Sequence, residues 1–398
     1  MAFNILAQLT LAYQPIWGPT RQLEAVRLRV RALRPEAVDA AHLLHLLQNE
    51  WADRSPTLVV SFADRELLLQ ALALDAAPGF WLELPDLGDF APPQYHEALA
   101  LATERGHQLL QISPLSRATQ ATDRFRHLCH LWPQEAAQAE VAHTTGAASP
   151  VQAGHLYQGL SKTALAAHCL DVARAWGVCG WPLANTLRSY HPQGVPLDKL
   201  TLVRVQKALQ KDASIDLIED VIHQDPVLTY RLLQVVNSPV FGAKREIDTI
   251  RQALMLLGQK NIRDWLQDQL PSACSDKDLL PVRQTMVLRA RLMQYLMSAG
   301  PQVELRNEIY LTGLFSQLDQ LLNEPLPNVL QRLPLPERLV QALLQNEGPY
   351  FAYLDLAVRL EHFERMDQIP EACRAHNFEL DDVNRALIRM LAHWNNEI

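Results

Sequence analysis

Between Ile218 and Leu266 apolar residues recur every three to four positions, the period of an amphipathic helix. Leu228, Leu232, Val235 and Val236 make one stripe, with Arg231 on its flank. Asp225-Pro226 opens this helix. An Asp before the first turn accepts amide protons that have no intrahelical partner, and a Pro at the first helical position has no N–H to leave unbonded. Asn237-Ser238-Pro239 closes it, because a residue before proline is pushed out of the helical region. A second helix opens near Asp248-Thr249, carries Ile250, Leu254 and Leu257 on one face, and stops at Gly258, a residue suited to the left-handed position after a helix. A third begins near Asn261 with Ile262 and Trp265. Asp225, Asn237 and Ser238 read as caps and Leu232, Leu233 and Trp265 as core, so the stretch predicts packing and docking rather than chemistry.

The pattern differs on either side of Ser189–Leu197, a linker with two prolines and Gly194. Before it, residues 1–190 read as one domain of alternating strands and helices, an α/β arrangement. Tyr13–Trp17, Glu24–Arg31, Thr57–Phe62, Phe80–Leu84 and Gln108–Ile112 read as strands. Ala37–Trp51, Arg65–Leu74 and Tyr95–Arg105 read as helices, and Ala136–Gly154 as a mobile loop. After the linker, residues 198–398 read as a second, all-helical domain. In the second strand Val26, Leu28 and Val30 point one way and Arg27, Arg29 and Arg31 the other. A central strand is buried on both faces and is hostile to unpaired cations. Either this strand lies at an edge facing water, or acids such as Glu83 and Asp86 meet the arginines.

A length of 398 residues, 48% of them apolar, suits two cores. The formal charge of −8 argues against a nucleic-acid partner. Cys129, Cys169, Cys179, Cys274 and Cys373 form no CxxC pair and read as idle thiols in a reducing cytoplasm. No apolar run reaches the roughly 20 residues of a membrane helix. The first residues lack the basic lead and cleavage site of a signal peptide.

The stretch DPVLTYRLLQVVNSPVFG, followed by the spacing of Ile247–Gly258, resembles the HDOD domain, a bacterial signalling module of stacked helices related to the HD phosphohydrolases. The resemblance rests on Asp225, Pro226, Arg231, Leu232, Asn237, Ser238 and Gly258, and continues weakly through Gly313–Ser316 and Leu333–Leu335. Where HD enzymes place metal-binding His and Asp residues, this chain has Ser316 and Gln317. His223, His362, His376 and His393 show no metal-ligand spacing and read as surface or capping residues.

Tyr13–Ile16, a turn, and Leu23–Arg31 resemble the opening of an EAL domain, a (β/α)-barrel phosphodiesterase that opens cyclic di-GMP. The resemblance puts Arg27-Leu28-Arg29 at the Glu-Ala-Leu positions, with Glu24-Ala25 three residues early, so that a cation stands where the family has a metal-binding Glu. A guanidinium repels a hard divalent cation. Ser61 stands at the family's Asn position, and Glu83 and Asp86 at carboxylate positions. Gln111–Pro114 replaces the Asp-Asp-Phe-Gly motif, removing two carboxylates from the metal cage. Gln14, Arg27, Arg31 and Glu83 remain as a vestigial ligand-binding set, and Trp176–Pro182 resembles the closing strand. About 190 residues are few against the roughly 250 of a complete barrel, so a shortened one is expected.

These resemblances imply a bacterial, cytoplasmic signalling protein. It would pair a degenerate EAL barrel with an HDOD domain, act through unidentified protein partners, and be neither an enzyme nor dependent on a cofactor or metal. Alternatives from the same residues are a receptor for cyclic di-GMP or a related nucleotide and a surviving phosphodiesterase.

Overall fold

The protein is described by a computed structural model covering residues 5–86, 92–238, 247–297 and 303–394. It divides into two compact units, one of Met1–Asn185 with Val358–Asn396, the other chiefly Thr186–Ala357. The sequence pattern had placed residues 358–396 at the end of the helical half. They pack with the first unit through contacts that no local pattern reveals.

Eight strands close into a barrel in sequential order: β1 (Leu9–Trp17), β2 (Leu23–Ala32), β3 (Thr57–Phe62), β4 (Phe80–Leu84), β5 (Gln108–Ser113), β6 (Phe125–His130), β7 (Leu156–Gln158) and β8 (Gly177–Cys179). β1 is antiparallel to both its neighbours, and the other pairs are parallel. Thus β2 is not an edge strand; Arg27 is accommodated inside, Arg29 is partly buried and Arg31 is exposed. No strand of the circuit is lost; what is reduced are individual elements. β7 and β8 have three residues each, and a single 3-10 turn, Leu115–Arg117, lies between β5 and β6. The remaining crossovers use α1 (Ala40–Glu50), α2 (Arg65–Leu72), α3 (Pro93–Glu104), α4 (Pro133–Thr145) and α5 (Thr163–Ala167), with α6 (Leu183–Arg188) after β8. The supposed loop Ala136–Gly154 is therefore helix as far as Thr145. Pro133 at the first position and Glu135, which accepts from the Trp132 N–H, start it; Gly146 at φ 71° stops it.

One side chain from each strand builds a layer of the interior: Ile16, Ala25, Val59, Trp81, Leu110, Leu128, Leu156 and Cys179. The strand period of two then sends Arg27, Ser61, Glu83 and Ile112, two residues further on, into the same interior toward the C-terminal ends of the parallel strands. That end of a (β/α) barrel carries functional groups.

The second unit is helical: α7 (Lys199–Gln210), α8 (Ile215–His223), α9 (Pro226–Val236), α10 (Ile250–Gln269), α11 (Leu280–Leu296), α12 (Val303–Phe315), α13 (Leu318–Leu322), α14 (Leu326–Leu330) and α15 (Glu337–Leu344), with α16 (Phe351–Leu360) running into the segment that rejoins the barrel. That segment continues through a 3-10 turn, Phe363–Gln368, to α17 (Ile369–Ala375) and α18 (Leu380–Ala392). Asn384 in α18 donates to the carbonyls of Leu6 and Leu9 at 2.8 and 2.7 Å. Among the described residues no helix is long and apolar enough to cross a membrane.

Candidate functional site

The Arg27 guanidinium faces the Glu83 carboxylate as a two-pronged pair, Nε to Oε2 and Nη2 to Oε1, the latter at 2.7 Å. The side chains are 7% and 3% exposed, so the pair is desolvated and its geometry decides whether it is tolerated. It is completed on all sides. Ser61 donates to Glu83 Oε1 at 2.6 Å, Arg29 donates to Ser61 Oγ at 2.8 Å, and Arg27 Nη1 donates to Gln14 Oε1 at 3.2 Å. Burial opposes the charge on Arg27, but the adjoining Glu83 carboxylate outweighs it and raises the pKa. For Arg29 burial wins over Glu83, with Arg27 adding repulsion, and the pKa falls.

The structure thus gathers Gln14, Arg27 and Glu83 into one network and adds Arg29 and Ser61. Arg31 lies apart at the rim, 47% exposed, and pairs with Asp367. Phe363 lies over Arg27, its ring centre 5.0 Å from the guanidinium carbon. The turn Phe363–Gln368 therefore sits at this end of the barrel. Asp86 does not join the arginines of β2; it holds Arg117 at 2.8 Å. Asp367 and Phe363 escaped sequence reasoning because only the return of the chain to the barrel brings them near. Among the described residues no three His, Cys, Asp or Glu side chains gather where a metal ion could be held.

In the helical unit Asp225 caps α9 as its sequence suggests, with Oδ1 accepting from the Val227 and Leu228 amides at 2.9 and 3.3 Å. Its other oxygen accepts from the Asp198 amide at 2.8 Å, and Arg283 on α11 approaches Oδ1 at 3.5 Å. One fully buried carboxylate thereby ties α9 to the start of α7 and to α11. Pro226 follows at the first helical position. Leu232 is core, and Arg231 is partly buried, its pKa lowered by burial against the pull of Asp225. Asn237 ends α9 and bridges to Ile247, donating to its carbonyl and accepting from its amide at 2.7 and 2.9 Å. Ser238 donates to the Val235 carbonyl at 2.7 Å. Pro239–Gly242, the rest of that motif, lie outside the described residues. Gly258 adopts φ 70° and breaks α10 into two helical runs, and Asn261 donates across the break to the Leu257 carbonyl at 2.9 Å.

Ser316 donates to the Gly313 carbonyl and accepts from Arg289, at 2.7 and 2.9 Å. His223 is neither a surface nor a capping residue. It is buried and stacked on Tyr310, and burial, aided by the Arg291 charge, lowers its pKa to about 3. The sequence read its polarity, but the fold supplies an aromatic partner that accepts the neutral ring.

Comparison with known proteins gives the following. Part of the chain is 31% identical over 183 residues, 46% of this chain, to a Vibrio cholerae protein named cyclic di-GMP phosphodiesterase CdgJ. It is 29% identical over 159 residues, 38% of its length, to the Bacillus subtilis protein YuxH, whose function is uncharacterized. The chain spans about two fifths of the length of these relatives, 41% and 38%. A crystal structure of the MmoQ response regulator from Methylococcus capsulatus aligns over 50% of this chain and 99% of its own, with 19% identity and a TM-score of 0.41. The expectation from sequence that this chain is not an enzyme is corrected here: a relative 31% identical to part of it is named a phosphodiesterase. The HDOD-domain family matches residues 195–324, the span that holds the Asp225 hub and the broken helix α10. The helical half of this chain contains an HDOD domain.

Proposed function

We propose that this chain is a signal-transduction protein of a cyclic di-GMP system, joining a degenerate EAL barrel to an HDOD domain that works by docking other proteins. The observation that carries the reading is the HDOD match itself, on a unit that exposes apolar side chains. Leu217 on α8 and Met255 and Leu256 on α10 are each about half exposed or more, at 51%, 62% and 49%. α8 and α10 pack together, and exposed apolar groups on adjoining helices favour a protein partner. The similarity to a protein named for cyclic di-GMP turnover supports the choice of system. The test is affinity purification of the full chain from its host, beside a full chain carrying Met255→Glu and Leu217→Glu. A defined partner held by the first and lost by the second is expected. An identical set of partners from both would overturn the docking surface.

A second reading is favoured by the barrel mouth: Gln14, Arg27, Arg31 and Glu83 bind cyclic di-GMP. The ring on the Arg27 guanidinium and the carboxylate on Arg31 support this reading, because a base and a phosphate make contacts of the same kinds with arginine. Calorimetry with cyclic di-GMP, followed by chromatography of the recovered nucleotide in Mg²⁺ and Mn²⁺, measures both binding and opening of the ring. No heat at high nucleotide concentration removes this reading and leaves the docking reading untouched.

A further inference from the structure

We propose that a cavity at the end of the barrel opposite the Arg27–Glu83 network binds a small zwitterion, an α-amino acid. The cavity measures about 420 Å³ and lies where the chain enters β6 and β7, lined by Gln120, Ala121, Asp123 and Arg126 from one approach and by Gln152 and Gly154 from the other. Its centre is Arg126, whose guanidinium carbon stands 5.4 Å from the Trp81 ring centre and 5.2 Å from that of Trp176. The two indoles attract the cation and hold its fork in place. Nη1 is fixed further by donating to the Gly154 carbonyl at 2.6 Å. Gly154, at φ 77°, permits that approach: a Cβ there would stand 2.9 Å from the Ala121 Cβ and 3.3 Å from Nη1. Nη2 has no hydrogen-bond partner among the described residues and, unlike Nε, is not sealed from solvent. It is the nitrogen that Arg126 presents to the cavity.

The charges of the walls select the ligand. Burial works against the charge on Arg126, with Asp123 pulling the other way, and its pKa falls. Among the described residues Arg126 and Asp123 make no ion pair, although both line the same cavity. A partly desolvated guanidinium without a counter-ion is costly, and the carboxylate that would relieve it does not touch it. A ligand with an anionic and a cationic end satisfies both groups at once. A plain anion would gain Arg126 and be repelled by Asp123, and a plain cation would meet the reverse. The side chains of Gln120 and Gln152 make no hydrogen bond among the described residues and offer donors and acceptors to the rest of a polar ligand. A cavity of this size falls within the roughly 300–1,000 Å³ of small-molecule sites. This end of a (β/α) barrel serves stability rather than catalysis, so the ligand is an input to the barrel and not a substrate. The site rests on neither functional reading above, since its walls belong neither to the barrel mouth nor to the helical unit.

The test is an NMR titration of the full chain, following the Asp123 and Gly154 amides, with L-serine as the zwitterion and acetate and ethylammonium as its two single-charge halves. L-Serine is expected to shift both amides saturably, and each half to bind about tenfold more weakly, having lost one attraction and met one repulsion. Asp123→Asn, at an exposed position, should weaken serine about threefold, the worth of an exposed ion pair, and tighten acetate by a similar factor. Arg126→Met keeps an apolar cover on the two indoles and should weaken serine about tenfold, the worth of a hydrogen bond between charged groups. Asp123→Asn, which leaves the indoles and their cation alone, keeps the test independent of how well Arg126→Met folds. No saturable shift with serine, acetate bound as tightly as serine, or serine bound equally by Asp123→Asn would each overturn the proposal.

Discussion

The Arg27 guanidinium carbon lies 5.0 Å from the centre of the Phe363 ring, so a buried cation on the second strand is roofed by an aromatic from beyond the helical unit. A cation over an aromatic face contributes about 0.5–2 kcal/mol, depending on desolvation. Phe363→Leu keeps an apolar cover and removes the ring. It is expected to cost the barrel about 1 kcal/mol in urea unfolding, and to speed hydrogen exchange in the turn Phe363–Gln368. Unchanged stability and exchange would show that the ring contributes no more than a leucine.

The Arg27–Glu83 pair should behave as one unit. Removing one partner of a buried pair costs about 3–5 kcal/mol, whereas replacing both with apolar groups of similar volume is often near neutral. Arg27→Met and Glu83→Leu are each expected to lower barrel stability by that amount, and the double variant to recover most of it. Denaturant unfolding of the three variants gives the coupling. Strict additivity would mean that the pair is not the unit its geometry suggests.

Acid should weaken the helical unit through His223. Its folded pKa of about 3 lies below the unfolded value of about 6.5. As pH falls below about 6.5 the unfolded chain takes up a proton that the native ring, stacked on Tyr310 and near Arg291, refuses. The stability contributed by the neutral ring is therefore full above that pH and drains toward pH 3, at up to about 1.4 kcal/mol per pH unit. His223→Leu should flatten this part of the profile, read from denaturant midpoints between pH 7 and 4. His127 in the barrel, lowered to about 4 by burial and by the neighbouring His155, should impose a similar slope there.

α11 and α12 meet where Gly313 has no side chain. A Cβ built there would stand 2.6 Å from the Ala290 Cα, a backbone atom that cannot swing aside. Gly313→Ala should therefore push the helices apart and cost about 1–3 kcal/mol, despite the better helix propensity of alanine. A thermal melt no lower than that of the parent would mean the pair accommodates the methyl group.

Local sequence carried the elements whose signals are local. Thr57–Phe62 and Phe80–Leu84 match β3 and β4 because each is an apolar run between turn residues. Asp225-Pro226 and Gly258 announced a helix start and a break for backbone reasons that need no neighbour. β6 was missed because FRHLCH looks polar. Its Arg126 lies over Trp81 and Trp176, and His127 meets Ser113 and Thr119, partners that appear only when the barrel closes. α4 was missed because its alanines, threonines and glutamines trace little of an apolar stripe. At the site, the arginine face of β2 and a pairing with Glu83 could be read from alternation. Asp367 and Phe363 could not, because both lie on a turn that the chain reaches only after the whole helical unit.

The nascent chain makes residues 358–396 only after Thr186–Ala357 has been made. Until then the Leu6 and Leu9 carbonyls lack Asn384, and Arg27 and Arg31 lack Phe363 and Asp367. Contacts so distant in sequence form slowly, because a long loop must close first. During synthesis the first unit lacks this closing segment, while the HDOD unit already has its full sequence. Ribosome-stalled chains of increasing length, probed by brief proteolysis, would register this order as late protection of the N-terminal strands.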